Sequence, residues 1–321
     1  MIVVLAGGVG AARFLQGVVQ VIPQEEITVV VNTGDDREFY GLHVSPDVDI
    51  VMYTLAGLVN EAQGWGIIDD TYHTMRQLTA YGHEDWFALG DRDLATHIHR
   101  TQLLRQGQTL SAITDDLRAR LGLSLRILPM SDQLVQTHIL TPDGLLHFEE
   151  YFVKRRCSDP VQDVQFVGAS AAKPAPGVLD ALKGAEAILI APSNPIVSIG
   201  SILAVPGIHE VLHEASGMIV AVSPLVGGAP IKGPADKLMS GLHMEVSAVG
   251  VARYYRDFLD VMVIDQQDAH LLAAIEDLGI PALATDTIMR DAPTKAALAR
   301  VVLEAAGLER FKQDAVRPDA R

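Results

Sequence analysis

Two short apolar runs near the start of the chain each end in a loop suited to phosphate or metal chemistry, and this pairing restricts the fold more than any other feature. Ile2 to Leu5 leads into Gly7-Gly8-Val9-Gly10-Ala11-Ala12-Arg13, and Ile27 to Val31 leads into Asn32-Thr33-Gly34-Asp35-Asp36. A strand followed by glycines and then a helix lets backbone N–H groups close on an anion at the helix N-terminus. A second strand ending in paired aspartates brings carboxylates to the same edge of a parallel sheet, where open α/β folds bind ligands. Together they point to a site for a nucleotide or diphosphate with a divalent cation.

The rest of the chain fits this frame. Its 321 residues are enough for a full core, and only 5% are aromatic while small and branched aliphatics dominate, as suits a parallel sheet covered by helices. A helix is expected from Ala11 to about Val21. Ser45-Pro46-Asp47-Val48-Asp49 reads as a helix start, with Ser45 as cap, Pro46 at the first position and the helix continuing to about Gln63. From Asp70 to Leu121 the patterns are helical: Asp91 reads as the cap of a helix running to Gln106 and stopped by Gly107, and Leu110, Ile113, Leu117 and Leu121 mark the next. Leu125 to Leu128 returns to strand. Val135 to Leu140 and Leu145 to Phe152 flank Pro142-Asp143-Gly144, a hairpin with a loop of about three to five residues. Ala187 to Ala191, Met218 to Ser223 and Val261 to Ile264 are further strands. No repeat or linker divides the chain. The expectation is one α/β domain over residues 1–321, a doubly wound, mainly parallel Rossmann-like sheet with a helical insert over 64–122 and a β-hairpin; the tail after Phe311 should fray.

Charge and cysteine usage narrow the partners. With 25 Lys plus Arg against 40 Asp plus Glu, the net charge of −15 argues against a general nucleic-acid binder. An anionic substrate would then need local cations, backbone amides or a metal. The lone Cys157 cannot form an internal disulfide, and neither a signal peptide nor a segment long enough to span a bilayer is evident, so a cytoplasmic protein is expected.

Several groups could carry chemistry. Gly8-Val9-Gly10 with Arg13 is either a tight strand-to-helix turn or a diphosphate cradle. It has Arg13 where the dinucleotide fingerprint wants a third glycine or alanine, and no Gly-Lys-Ser/Thr for a Walker loop. Asp35 and Asp36 could bind a ribose hydroxyl, join a hard-metal site or end the strand in an Asx-turn. Asp47 and Asp49 suit a first helical turn whether or not they have a function. Asp91 and Arg92 could grip a polar ligand and an anion, while Asp93, His97 and Arg100 form a stripe that reads equally as a solvated helix face. Pro192-Ser193-Asn194-Pro195 and the long Ser223 to Pro234 loop, with Gly227, Gly228 and Lys232, follow buried-looking strands; Lys237 lies just beyond. Loops of that length and composition usually shape a site.

Taken in order, these stretches resemble the 2-phospho-L-lactate transferase family of coenzyme F420 biosynthesis. The resemblance rests on Gly7 to Gly10, Asn32 to Asp36, Ser45 to Asp49, Trp65-Gly66, Leu89 to Asp93 with Ala95-Thr96-His97, Pro129 to Asp132, Pro192 to Pro195 and Ser223 to Lys237. It implies a homodimer that transfers a phospholactyl, phosphoenolpyruvyl or phosphoglyceryl group from a guanylylated donor to the ribityl hydroxyl of a deazaflavin, with Mg²⁺ assisting and GMP released. By the same resemblance Asp49, Asp91 and Arg92 would bind the deazaflavin, with Asp49 and Arg92 catalytic. Gly8, Gly10, Arg13, Ser193, Asn194, Gly227, Gly228 and Lys232 would hold the nucleotide, and Asp35, Asp47 and Asp49 would ligate the metal. Two other classes compete: a nucleotide-sugar-binding regulator similar to the gluconeogenesis factors, and a nicotinamide oxidoreductase. The first lacks a reason for Ser45 to Asp49 and Gly90 to Asp93, and the second for the Ser193 and Gly227-Gly228 loops.

Overall fold

The computed structural model describes residues 1–308 and 310; the expectation of a frayed tail after Phe311 lies outside the described residues. Seven strands form a wholly parallel sheet: β1 (Ile2–Ala6), β2 (Ile27–Val31), β3 (Arg126–Pro129), β4 (Ala187–Ile190), β5 (Met218–Val222), β6 (Val261–Asp265) and β7 (Ala282–Thr285). Their spatial order is β7-β6-β5-β4-β1-β2-β3. The chain winds outward from β1 through β2 to β3, then returns and winds the other way from β4. The switch point lies between β1 and β4, where Val4 stands beside Val29 on one side and Leu189 on the other.

Alternation on β1 explains why the sheet is covered on both faces. Val3 and Leu5 pack into one apolar cluster with Ile188, Ile190 and Ile264, while Ile2, Val4 and Ala6 join the opposite one with Val29 and Leu189. Strands buried on both sides need continuous apolar runs, and the sequence has them. On the second face, helix α1 (Gly8–Val18) lies between α2 (Pro46–Leu55) and a long C-terminal helix (Ala292–Ala305). A Cβ on Gly17 would stand 2.1 Å from the Lys295 carbonyl oxygen, so the closeness of that pairing depends on glycine.

Some boundaries differ from expectation. Helix α1 starts at Gly8, not Ala11, and ends at Val18. Helix α2 stops at Leu55, well short of Gln63. Gly57 takes φ +69°, and the chain turns back so that Val59 pairs with Ile67, both buried in the core. Helices α3 (His73–Ala80), α4 (Asp91–Arg105) and α5 (Leu110–Arg120) follow. Gly90, not Asp91, is the N-cap of α4. The hairpin strands are Gln136–Thr141 and Gly144–His147, with Thr141 opposite Gly144, so the loop is only Pro142-Asp143. A third antiparallel strand, Asp163–Val167, completes this small sheet, and the chain after His147 winds into a π-helical turn, Glu150–Lys154, where strand was expected to run to Phe152. Among the described residues no helix is long and apolar enough to cross a membrane.

Candidate functional site

Open parallel sheets leave a crevice at the carboxyl ends of the strands where the winding reverses. Here the loops after β1 and β4 close that crevice on each other. The Gly7 N–H donates to Ser193 Oγ at 3.1 Å, and that hydroxyl donates to the Gly7 carbonyl at 2.8 Å. A Cβ on Gly7 would meet Ser198 Cβ at 2.5 Å and Asp47 Oδ2 at 2.9 Å; one on Gly10 would meet the Pro192 carbonyl oxygen at 2.4 Å. Gly8 has φ +72°. Gly10 is needed because backbone meets backbone, Gly7 because the Ser198 and Asp47 side chains close on it, and Gly8 because of its positive φ. Asn194 accepts from the Ile196 and Val197 N–H groups, and its buried amide nitrogen has no partner among the described residues.

Two cations stand beside this turn. Lys232 is held below the usual ammonium range, first by burial and then by the positive charge of Arg13. Neither makes an ion pair with a carboxylate among the described residues. Two like charges kept together without a counter-ion suit a polyanion. Lys232 arrives from the loop after a small hairpin, Leu225–Val226 with Ala229–Pro230, whose turn residues Gly227 and Gly228 both have positive φ (60° and 76°). Asp268 anchors that turn by accepting the Gly227 N–H at 2.9 Å. Lys232 Nζ passes 2.9 Å from where a Cβ on Gly64 would stand, and Val9 Cγ1 is 3.9 Å from the same point, so loops from both halves of the sheet meet over the turn. Lys237 is used elsewhere, donating to the Cys157 carbonyl at 2.6 Å.

Acids gather behind it. Asp35 and Asp47 share one amide: Asn32 Nδ2 donates to Asp35 Oδ2 at 3.2 Å and to Asp47 Oδ2 at 2.8 Å. Ser201 Oγ and the Gly34 N–H fix the other end of Asn32. Burial pushes the Asp47 carboxyl up to about 7, opposed by the Asn32 bond, reinforced by Asp36 and opposed again by the Gly8 N–H. Asp35 is driven well above the usual range by burial and then by Asp47, Glu149 and Asp36, and its Oδ1 is buried without a partner among the described residues. Glu149 is raised to about 8 by burial, with Asp47 next. Asp36 is quenched locally: Ser45 Oγ donates to both its oxygens at 2.7 and 2.8 Å, and His43 Nε2 lies 3.0 Å away. Ser45 therefore does not cap α2 with its side chain as expected; its hydroxyl is committed to Asp36.

Asp49 belongs to a different group. Residues two apart on a helix point about 200° apart around its axis, and while Asp47 faces Asn32, Asp49 faces α4. Arg100 binds both its oxygens, Nη1 at 3.0 Å to Oδ2 and Nη2 to Oδ1. Hence the three expected metal ligands are not brought together, and among the described residues no group of three His, Cys, Asp or Glu side chains is placed to hold a metal. Asp35 and Asp47 remain a fit for a small hard cation: two crowded, buried carboxylates, one with an orphan oxygen, beside an anion site. Mg²⁺ usually takes one or two carboxylates and completes its shell with water and substrate phosphates.

Asp91 and Arg92 sit at the start of α4. The Asp91 carboxylate accepts from Thr71 Oγ1 (2.5 Å) and the N–H groups of His73 and Thr74 (both 2.9 Å), which holds it well below the ordinary carboxylate range and makes it the cap of α3. Arg92 donates to the Ile68 carbonyl at 2.6 Å and stays exposed. The sequence reading gave no role to Asn32, Glu149 or Arg100. Asn32 sits inside a noted motif and Arg100 on a noted stripe, but Glu149 carries no local signal: only the tertiary fold brings it near Asp35 and Asp47.

Comparison with known proteins agrees with this geometry. The family model described as 2-phospho-L-lactate transferase CofD matches residues 2–301. A phosphoenolpyruvate transferase of Streptomyces griseus is 50% identical over 311 residues, covering 95% of this chain and 98% of its own. A 2-phospho-L-lactate transferase of Methanosarcina mazei is 42% identical over 303 residues, covering 94% and 99%. A solved structure of a UPF0052 family member from Bacillus halodurans shares the fold with a TM-score of 0.61 at 14% identity, over 94% of this chain and 98% of that one. With its switch-point cradle, flanking cations and paired acids, the chain belongs to the 2-phospho-L-lactate transferase family, whose members are phospho-acid transferases of coenzyme F420 biosynthesis.

Proposed function

We propose that the protein transfers a phosphoenolpyruvyl group from a guanosine-diphospho-linked donor to the terminal ribityl hydroxyl of 7,8-didemethyl-8-hydroxy-5-deazariboflavin. The observation that carries this reading is a glycine turn with the Arg13–Lys232 couple beside it, which has no carboxylate partner among the described residues, and with Asp47 of the Asp35–Asn32–Asp47 unit 2.9 Å from where a Cβ on Gly7 would stand. It supports binding of a diphosphate with a divalent cation at the switch point. Five relatives named for phosphoenolpyruvate are 45–50% identical to this chain and a sixth is 40%, against 42% and 41% for two named for 2-phospho-L-lactate; the weight of the higher identities favours the enolpyruvyl donor.

In this reading the glycine turn, Ser193, Asn194, Gly227, Gly228, Arg13 and Lys232 hold the guanosine diphosphate portion, and Asp49 with Arg92 holds the deazaflavin. Asp35 and Asp47 would hold Mg²⁺, which when bound neutralises diphosphate charge. The hydroxyl oxygen attacks the phosphorus nearer the acid group in line. The bond from that phosphorus to the bridging oxygen breaks, GMP leaves with the bridging oxygen, and a buried carboxylate takes the hydroxyl proton. Phosphoryl transfer asks mainly for such positioning and charge neutralisation. A cytoplasmic homodimer is part of the same proposal; light scattering would report the dimer.

The test is a mass-spectrometric assay with the deazaflavin, Mg²⁺ and guanylylated phosphoenolpyruvate, phospholactate and phosphoglycerate in turn. The reading requires a deazaflavin phosphodiester with stoichiometric GMP, fastest from the enolpyruvyl donor. A faster rate from another donor would replace the donor assignment. No product from any donor, with no deazaflavin binding, would overturn the transferase reading for this chain. Asp49→Asn should lose turnover by about a hundredfold or more in the same assay, with circular dichroism to separate this from the stability lost when buried Arg100 keeps no carboxylate.

A further inference from the structure

Arg100 is fully buried on α4, and its surroundings form a polar ladder between two helices. Besides Asp49, its Nη1 lies 3.3 Å from His97 Nδ1. A guanidinium has only donors, so Nδ1 accepts and the imidazole proton sits on Nε2. That nitrogen lies 3.2 Å from Asp93 Oδ1, which also accepts the Tyr53 hydroxyl at 2.8 Å. Asp49 and Tyr53 are one helical turn apart on α2; Asp93, His97 and Arg100 run along α4. The contacts run in a series: Tyr53 to Asp93, Asp93 within 3.2 Å of His97 Nε2 without an aligned hydrogen bond, His97 to Arg100, and Arg100 to Asp49.

We infer that Arg100 and His97 are positioning residues for the acceptor site, holding the Asp49 carboxylate in one orientation and setting α4 against α2 so that Asp49 and Arg92 face the deazaflavin together. This rests on the placement of Asp49 and Arg92 at the acceptor proposed above. The geometry supports it in two ways. A bidentate fork fixes the carboxylate plane and leaves each oxygen a free lone pair for a ligand hydroxyl. In addition, Arg92 belongs to the first turn of the same helix that carries Arg100, so a shift of α4 along α2 would move both acceptor contacts at once.

A double-mutant cycle on deazaflavin affinity, read from ligand fluorescence with the intact protein, tests the inference. Arg100→Gln is expected to weaken deazaflavin binding about tenfold or more while leaving GDP binding unchanged. Asp49→Asn leaves the buried Arg100 guanidinium without its carboxylate, and adding Arg100→Gln removes that charge; in this background Arg100→Gln should weaken deazaflavin binding no further, because the two act as one unit. His97→Gln keeps the charge pair and covers the case in which Arg100→Gln alone does not fold; it should raise the KM for deazaflavin and not that of the donor. Additive effects, or a lower Tm with both affinities intact, would make the ladder purely structural and overturn the inference. If Asp49→Asn itself leaves deazaflavin affinity unchanged, the placement of Asp49 at the acceptor fails instead.

Discussion

Gly10 shows how a single missing methyl group can define a binding cleft. The Pro192 carbonyl occupies the space a Cβ would need, and backbone cannot rotate aside as a side chain can. Gly10→Ala must push the loops after β1 and β4 apart. Strain of that type costs about 1–3 kcal/mol, so thermal unfolding should show a lower Tm, and isothermal titration should show weakened GDP binding. Asp47 and Asp49 carry a second lesson at this scale. In the sequence they are equivalent acids of a first helical turn. Their phase on α2 sends one to Asn32 and the other to Arg100, and helix geometry alone foretells that they separate.

At the scale of elements, the start of α4 is built by exchange. Asp70 accepts the N–H groups of Arg92 and Asp93 at 2.7 and 3.1 Å, while Asp91 accepts those of His73 and Thr74, so each helix is capped by a residue next to the other. A Cβ on Gly90 would lie 2.1 Å from Asp70 Oδ2, which is why glycine precedes α4. Removing a helix cap costs about 0.5–2 kcal/mol. Asp70→Ala should therefore lower stability by about 1 kcal/mol in urea unfolding, and it should also raise the KM for deazaflavin by loosening the turn that carries Arg92. A stability loss with unchanged KM would separate Arg92 from the acceptor. The strands β1 to β6 and helices α1, α2, α4 and α5 were legible from apolar runs, caps and glycine stops; β7 and the C-terminal helix were not. The reciprocal caps were not, since Asp70 and Asp91 are 21 positions apart and meet only through the turn between α3 and α4.

At the scale of the molecule, crowding of acids makes stability depend on pH. An acid whose folded pKa is raised binds its proton more tightly in the folded state. Its ionisation therefore weakens folding as pH climbs from the ordinary value to the raised one. Glu149 moves from 4.5 to about 8 and Asp47 from 3.8 to about 7. Most other carboxylates are ionised above about pH 5, so calorimetry of the protein without ligands should show Tm falling from about pH 5 to about pH 8. Mg²⁺ with GDP should flatten that fall, because a cation offsets the repulsion and binding to the folded state adds stability. A Tm that rises over this range would contradict the placement of these acids. The sequence by itself determined the doubly wound sheet, the glycine turn after β1 and the family, because strand periodicity, turn chemistry and motif order are local properties of the chain. Only the tertiary structure decided that Glu149 stands near Asp35 and Asp47, that α2 and not solvent meets the stripe on α4, and that Lys232 arrives beside Arg13. Those contacts join residues far apart in the chain, and burial, which sets their charge and strength, exists only once the helices and the hairpin have packed against the sheet.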